Sequence, residues 1–554
     1  MPERARGDGE RAEPADTGRA AGVESEWPTT DLVAARAAAT PDREALVDHP
    51  TGDSWTYREL DAWAGAVASE LGDADGGGVP GRVGVLADPR PEVVALVHAA
   101  WRAGRELVLL NVDLAPGELA AQLAHADVAT LLADATARDL AMSAVDALDS
   151  PAAVAVDALA AVAGEPDVAT AGSDLATAAA ATAPSHRVTS GDVPVTMFTS
   201  GSTGDPKAVR VTVGNLLSSA TASAFRLGVG RADRWLSPLP TYHMGGLAPI
   251  VRCALYGSTV VLQRGFDADA TASALDDHDA TGVSLVPTAL QRLLDADWTP
   301  PDSLRFVLLG GAAADPALLA RCERAGVPVY PTYGMTETAS QIATATPEQA
   351  FADPETVGQP LVNTTVAVVD ADDEPVPPGE VGELVVSGPT VTPGYLDPDD
   401  DEHATTAADA AENDVAGRFG ERGFHTDDRG YRDADGKVYV TGRVDDMLVT
   451  GGENVQPAVV EEALRALAGV ADAAVVGLAD PEWGERVAAL VVRDADAAGP
   501  GATDGLDADA VRDAVRGRLA AHEVPKTVAF ADAIPRTASG TVDRPAVRER
   551  LGGD

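Results

Sequence analysis

Lysine is almost missing from this chain. Three occur in 554 residues, Lys207, Lys437 and Lys526. The 41 Lys+Arg face 87 Asp+Glu, which leaves a formal net charge of -46. With no basic stripe to neutralise phosphates, nucleic-acid binding is excluded. Cysteine is as scarce, with only Cys253 and Cys322. That rules out a disulfide framework or a thiolate metal site. No uncharged apolar run approaches twenty residues, so membrane insertion is not expected. The N-terminus MPERARGDGERAEPADTGRAAGVESEW has no apolar core of a secretion signal. A cytoplasmic protein is expected. A charge of -46 repels itself in dilute buffer. At roughly molar salt the Debye length shrinks to about 3 Å, and most of that repulsion is screened. The pairing of acidic excess with lysine poverty therefore reads as adaptation to a salt-rich, halophilic interior.

What is present is enough for more than one core. At 554 residues, two or more domains are expected. Residues 1–24 read as a disordered polar tail. Beyond them, short β-rich runs alternate with Ala/Leu-rich helical stretches. RVGVLAD precedes PEVVALVHAAWRAG, and ELVLLN precedes PGELAAQLAHAD. This alternation predicts an α/β fold of parallel sheets covered by helices. The Ala-rich stretch from Pro151 to Ala183 reads as soluble helices and a loop, and the acidic segment Asp397 to Asp414 as a solvated loop. After Arg443 a smaller unit begins. It contains a helix from Pro457 to Ala468, two β-rich runs, an acidic linker and a last helix near Ala510 to His522.

Two segments carry chemistry. In VTMFTSGSTGDPKAVRVT, residues 195–212, the hydroxyls of Thr199, Ser200, Ser202 and Thr203 interleave with Gly201 and Gly204. Small residues let backbone N–H groups close around an anion, and Lys207 adds a point charge suited to phosphate. The Walker pattern does not fit. A flexible linker, the alternative, has no need of apolar strands on both sides. In YPTYGMTETASQI, residues 330–342, Tyr333 could cover an adenine, Thr336 could donate to a phosphate, and Glu337 could hold Mg²⁺ among phosphate oxygens.

Together with GFHTDDRGYRDADGKVYVTGRVDDMLVTGGENVQPAVVEE, residues 423–462, these segments resemble the adenylate-forming superfamily of acyl-CoA synthetases, luciferases and peptide-synthetase adenylation domains. The likeness runs from about Ala35 to Leu551. It implies a large N-terminal AMP-binding domain of parallel and mixed sheets (25–441), a hinge (442–446) and a small, mobile α+β C-terminal domain (447–554). It also implies ATP, Mg²⁺ and CoA as ligands and an acid activated as its adenylate before transfer to the thiol. By resemblance, Thr199 to Lys207 is the phosphate loop, and Gly310, Gly311 and Ala312 lie beside adenine with Tyr333. Glu337 is the metal carboxylate. Lys207, Thr336, Glu337 and His243 are catalytic, Asp428 and Arg443 hold the ribose, and Asp445 is the hinge. Gly451, Gly452 and Glu453 lie near CoA. A glycine expected before Asp428 is Asp427 here. Aspartate enters the left-handed region more readily than most residues.

LPTYHMGGL places His243 in the pocket-gating position by the same resemblance, and YGMTETASQI, with GGENVQP and PEWGERV, is similar to the o-succinylbenzoate–CoA ligase family of menaquinone biosynthesis. That resemblance places His243, Arg252, Gly310 and Gly334 in the acid pocket. A second carboxylate on the acid needs a cation inside an apolar pocket, which Arg252 would supply. The alternatives are a surface arginine on an amphipathic helix and a simple benzoate or other aryl acid as substrate. One departure stands out. In IPRTASGTVDR, residues 534–544, Thr541 replaces the family's lysine, and Arg536 or Arg544 are candidate stand-ins. This admits a nucleotide-binding relative with weak adenylation. An adenylation unit serving a carrier protein is disfavoured because no carrier-like sequence follows. A homodimer is an open expectation.

Overall fold

The computed structural model describes residues 31–72, 81–148, 154–164, 188–199, 206–397, 418–443, 448–450, 453–480, 483–494, 506–516, 518–519, 522–537 and 540–552. Four sheets organise it. A nine-stranded sheet is parallel through its centre, in the order Val329–Tyr333, Phe306–Leu309, Gly282–Leu285, Arg234–Ser237, Thr259–Leu262, Glu44–Asp48. Its three edge strands, Asp53–Thr56, Ala343–Thr344 and Gln359–Pro360, run antiparallel. A six-stranded sheet is parallel in five strands and closes with the antiparallel pair Val195–Thr199 and Lys207–Val211. Its strands include Arg82–Leu86 and Leu107–Leu110, followed by helices Pro91–Ala103 and Pro116–His125, as the alternation predicts.

The central strands are four- or five-residue apolar runs such as LVLL, TVVL and FVLL, buried along their whole length. That is the composition expected where helices cover both faces of a parallel sheet. The core follows the layers, with one large apolar cluster joining the two sheets.

Helix Val213–Leu227 shows how loops are fixed between layers. Thr212 and Asn215 close a capping box at its start. The Asn215 amide also donates to the carbonyls of Pro389, at 3.0 Å, and Val391, at 2.8 Å. A loop from the third sheet is thereby held against the helix.

The third sheet is antiparallel, built from Thr365–Val369, Gly382–Ser387, Phe419–Gly420, Gly423–Arg432 and Val438–Arg443. The fourth lies in the C-terminal unit, where helix Pro457–Arg465 packs on Val470–Asp480 and the core is separate from those above. Sequence reasoning ran some elements too long. The helix expected to reach Ala468 ends at Arg465, and the one expected from Ala510 to His522 spans Ala508–Val515. Within the Ala-rich stretch, Ala155–Ala158 is a strand and Leu159–Ala163 a single helical turn. The rest of it, the tail 1–24 and the segment 398–414 lie outside the described residues. No helix among the described residues is long and apolar enough to cross a membrane.

Candidate active site

One cavity of about 550 Å³ opens where the parallel strands of the nine-stranded sheet end. Pro238 to Pro240 follow one strand, Gly265 and Phe266 a second, Val286 a third, Gly310 and Gly311 a fourth, and Gly334 to Glu337 a fifth. Thr199 and Lys207 reach it from the six-stranded sheet, and Arg418, Thr426 and Arg443 from the antiparallel one. In open α/β sheets the carboxyl ends of parallel strands are where ligands gather.

Backbone crowding fixes the floor. A Cβ on Gly334 would sit 1.6 Å from the Ser340 carbonyl oxygen, so the turn through Thr336 and Glu337 can close only over glycine. The turn is tight enough to carry Ala339 at φ 50° and Ser340 at φ 113°. Thr336 and Glu337 open a short 3₁₀ turn, Thr336–Thr338. The Glu337 carboxylate is buried and accepts a bond from the Tyr395 hydroxyl at 3.1 Å. The Lys207 ammonium lies over the same ring, 5.3 Å from its centre.

Asp428 and Arg443 face each other as register partners on adjacent strands, with 3.7 Å between carboxylate and guanidinium. Asp427, where glycine was expected, adopts φ 59° and so keeps the left-handed turn. Its carboxylate pairs with Arg418. Tyr333 donates to Asp428 Oδ2 at 2.6 Å, and burial, reinforced by that carboxylate, holds its phenol well above the usual range.

At the other end, Leu239, Phe266, Leu285 and Leu308 make the lining apolar. His243 stands at the N-cap position of helix Met244–Tyr256 without capping it. Its Nε2 is buried with no hydrogen-bond partner, and burial lowers its pKa. Arg252, on the same helix, is only 2% exposed. It stacks 5.4 Å from the Trp235 ring, touches Ser219 Oγ at 3.5 Å, and leaves its Nε unsatisfied. A surface position for Arg252 is therefore wrong. Burial lowers its pKa, but a guanidinium keeps its charge at accessible pH. Cys253 and Cys322 are buried thiols pushed up to about 12 and about 11, far from reactive thiolates.

The cavity thus gathers Thr199, Lys207, His243, Arg252, Gly310, Gly311, Gly334, Thr336, Glu337 and Arg443. Tyr333 and Ala312 are not among its lining. Asp428 is not among it either; the Tyr333 hydroxyl, half-buried, donates to that carboxylate behind Arg443 and Thr426. Ser200, Gly201, Ser202, Thr203, Gly204, Asp445, Gly451 and Gly452 lie outside the described residues, as does the side chain of Glu453. Sequence reasoning missed Arg418, Thr426, Tyr395 and Arg292. Thr426 opens the triplet that ends at Asp428 and could have been named from it, whereas Arg418, Tyr395 and Arg292 belong to no short motif.

Residues 33–396 match the family model of the AMP-binding enzyme, and residues 459–541 that of the AMP-binding enzyme C-terminal domain.

The chain belongs to the AMP-binding enzyme family.

Within that family it is similar to the 2-succinylbenzoate–CoA ligase of Bacillus velezensis, 35% identical over 520 residues, covering 94% of this chain and 97% of the relative. The o-succinylbenzoate CoA synthetase of Bacillus subtilis, solved with its acyl-adenylate intermediate OSB-AMP, superposes with a TM-score of 0.77 at 30% identity, over 94% of this chain and 98% of that one. The same enzyme has been solved with ATP and a magnesium ion, again with a TM-score of 0.77. ATP-bound MatB from Rhodopseudomonas palustris superposes with a TM-score of 0.78 at 28% identity, over 94% of this chain and 98% of that one.

Proposed function

We propose that this AMP-binding enzyme is a 2-succinylbenzoate–CoA ligase, converting 2-succinylbenzoate, ATP and CoA to 2-succinylbenzoyl-CoA, AMP and diphosphate for menaquinone biosynthesis. One observation carries the reading: a fully buried arginine, with an unsatisfied Nε and no paired carboxylate among the described residues, lines the apolar end of a nucleotide cavity. A buried cation without a counter-ion is costly, and an acid with a second carboxylate would supply that counter-ion. Relatives named for this substrate, similar along nearly the whole chain, point the same way.

In this reading ATP binds with its ribose between Asp428 and Arg443 and its phosphates toward Lys207 and Thr336. Glu337 fits a magnesium ion, as a buried carboxylate with one oxygen steadied by Tyr395. Such an ion takes one or two carboxylates and fills its shell with phosphate oxygens and water. When bound it offsets phosphate charge. His243, kept neutral by burial, and the surrounding leucines exclude water from the acid's ring. The acid's carboxylate oxygen attacks the α-phosphorus, the α–β bridging bond breaks, and diphosphate departs with the electron pair. The CoA thiolate then forms the thioester while AMP leaves. The roles of Asp445 as hinge and of Gly451, Gly452 and Glu453 near CoA belong to this proposal, as do a cytoplasmic location and a salt-rich setting.

Thr541 favours a second reading, a relative with weak adenylation. Neither candidate stand-in lines the cavity. Arg536 is tied to Asp472 at 2.7 Å, and Arg544 to Glu461 at 2.9 Å. A CoA-thioester assay at high salt, with 2-succinylbenzoate and benzoate in parallel, tests the substrate. Turnover of the first and little of the second is expected. Turnover of benzoate alone would refute the assignment.

A further inference from the structure

Arg418 directly precedes Phe419–Gly420, an edge strand of the antiparallel sheet, and lines the cavity with Thr426 and Arg443. Its side chain is largely buried, with its guanidinium 6.0 Å from the centre of the Phe424 ring. One side of that guanidinium is fixed by the Asp427 carboxylate. Another lies against the Tyr395 hydroxyl, whose proton is held above its ordinary range by burial and by Glu337. Tyr395 is therefore a hub. Lys207 lies over its ring, Glu337 accepts a hydrogen bond from its hydroxyl, and Arg418 borders the same oxygen.

Two other cations of the cavity are committed elsewhere. Arg443 stands across from Asp428 on the ribose side, and Arg252 is buried against Trp235 and Ser219 at the apolar end. At the level of Glu337, Lys207 lies over the Tyr395 ring and Arg418 borders the Tyr395 hydroxyl. A guanidinium presents a planar fork of donors that matches a phosphate's oxygens.

We propose that Arg418 is a further catalytic residue, the cation that meets the α-phosphate of ATP during adenylation, held in place by Asp427. This rests on the ligase reading. It assigns the charge that Thr541 cannot carry to the large domain itself. As the carboxylate oxygen bonds to the α-phosphorus and the bond to the bridging oxygen breaks, negative charge grows on the non-bridging oxygens, where Arg418 would donate. No proton or electron is transferred to the protein.

The test uses the full chain at high salt with Mg²⁺, and reads two half-reactions: ATP–diphosphate exchange driven by 2-succinylbenzoate, and thioester formation from preformed acyl-adenylate and CoA. Arg418→Ala should slow exchange on the order of 100-fold or more, with a far smaller loss in the thioester step. Arg418→Lys should recover part of it. The double change Arg418→Ala with Asp427→Gly separates catalysis from charge balance, since glycine keeps the left-handed turn without a carboxylate to neutralise. Exchange should stay low. Recovery in that double variant, or full exchange in Arg418→Ala, would overturn the proposal. Thr541→Lys should change exchange little alone yet raise it in the Arg418→Ala background. If the wild-type chain exchanges with no acid, the ligase reading fails, and Mg–ATP affinity decides the role of Arg418. A weakening of about tenfold or more sustains it, and equal affinity sinks it.

Discussion

Arg252 shows what a single side chain can give away about a substrate. Its guanidinium is out of water, stacked on Trp235, with one nitrogen unsatisfied. Such a group destabilises the empty protein and strengthens binding of an anion that reaches it. Replacing it with an apolar side chain of similar length should reverse both effects. Arg252→Met is expected to raise the melting temperature of the ligand-free protein. It should also lower kcat/KM for 2-succinylbenzoate by roughly 10- to 100-fold, the value of a charged hydrogen bond, while the KM for ATP holds. Thermal melts and steady-state assays together check this. The sequence marked Arg252 only by its distance from His243 and by family likeness. Whether it faced solvent or the cavity depends on how helix Met244–Tyr256 sits against Trp235 and Ser219, contacts made across long stretches of chain.

At the scale of elements, the two turns that frame the nucleotide end differ in how far they could be foreseen. The run TYGMTE stood out in the sequence and lines the cavity, and its glycine is explained by the Ser340 carbonyl that leaves no room for a Cβ at Gly334. Gly334→Ala should therefore open the turn, costing about 1–3 kcal/mol as an overpacked site does and weakening ATP binding, as titration calorimetry would show. The Thr426-Asp427-Asp428 turn was the less secure, because glycine was expected in its middle. Aspartate at φ 59° resolves this, and the pairing with Arg418 supplies a reason for its charge. Asp427→Val, a β-branched residue in left-handed geometry, should cost about 1–2 kcal/mol, read as a lower melting temperature. Short buried strands and their following helices were legible from apolar runs. The helix ends in the C-terminal unit were not, since an Ala-rich pattern continues past the point where packing stops. Arg418 and Tyr395 could not be found from spacing at all, because nothing local to their sequence says that an antiparallel sheet folds over the mouth of a parallel one.

The whole molecule carries two further expectations. With a net charge of -46, its melting temperature should climb steeply from dilute buffer to roughly molar KCl as the Debye length falls to about 3 Å. A flat salt response would contradict adaptation to a salt-rich setting. Acid sensitivity has a named contributor. His98, buried within helix Pro91–Ala103, has its pKa lowered by burial from 6.5 to about 4. Between those values the unfolded chain binds a proton that the folded chain does not. Stability therefore falls as pH drops through that window, by roughly 3 kcal/mol in full. His98→Gln should flatten the decline of melting temperature between pH 6.5 and 4 relative to the parent. An unchanged slope would place the acid response elsewhere.

The bond from Tyr333 to Asp428 joins the last parallel strand of one sheet to the longest strand of another. The carboxylate proposed to read the sugar is thereby also a seam. One of its oxygens is spent on the phenol and the other is turned toward Arg443, so under that proposal a ribose would be gripped without unpicking the stitch. Any change that cuts the stitch should loosen grip and architecture in the same stroke.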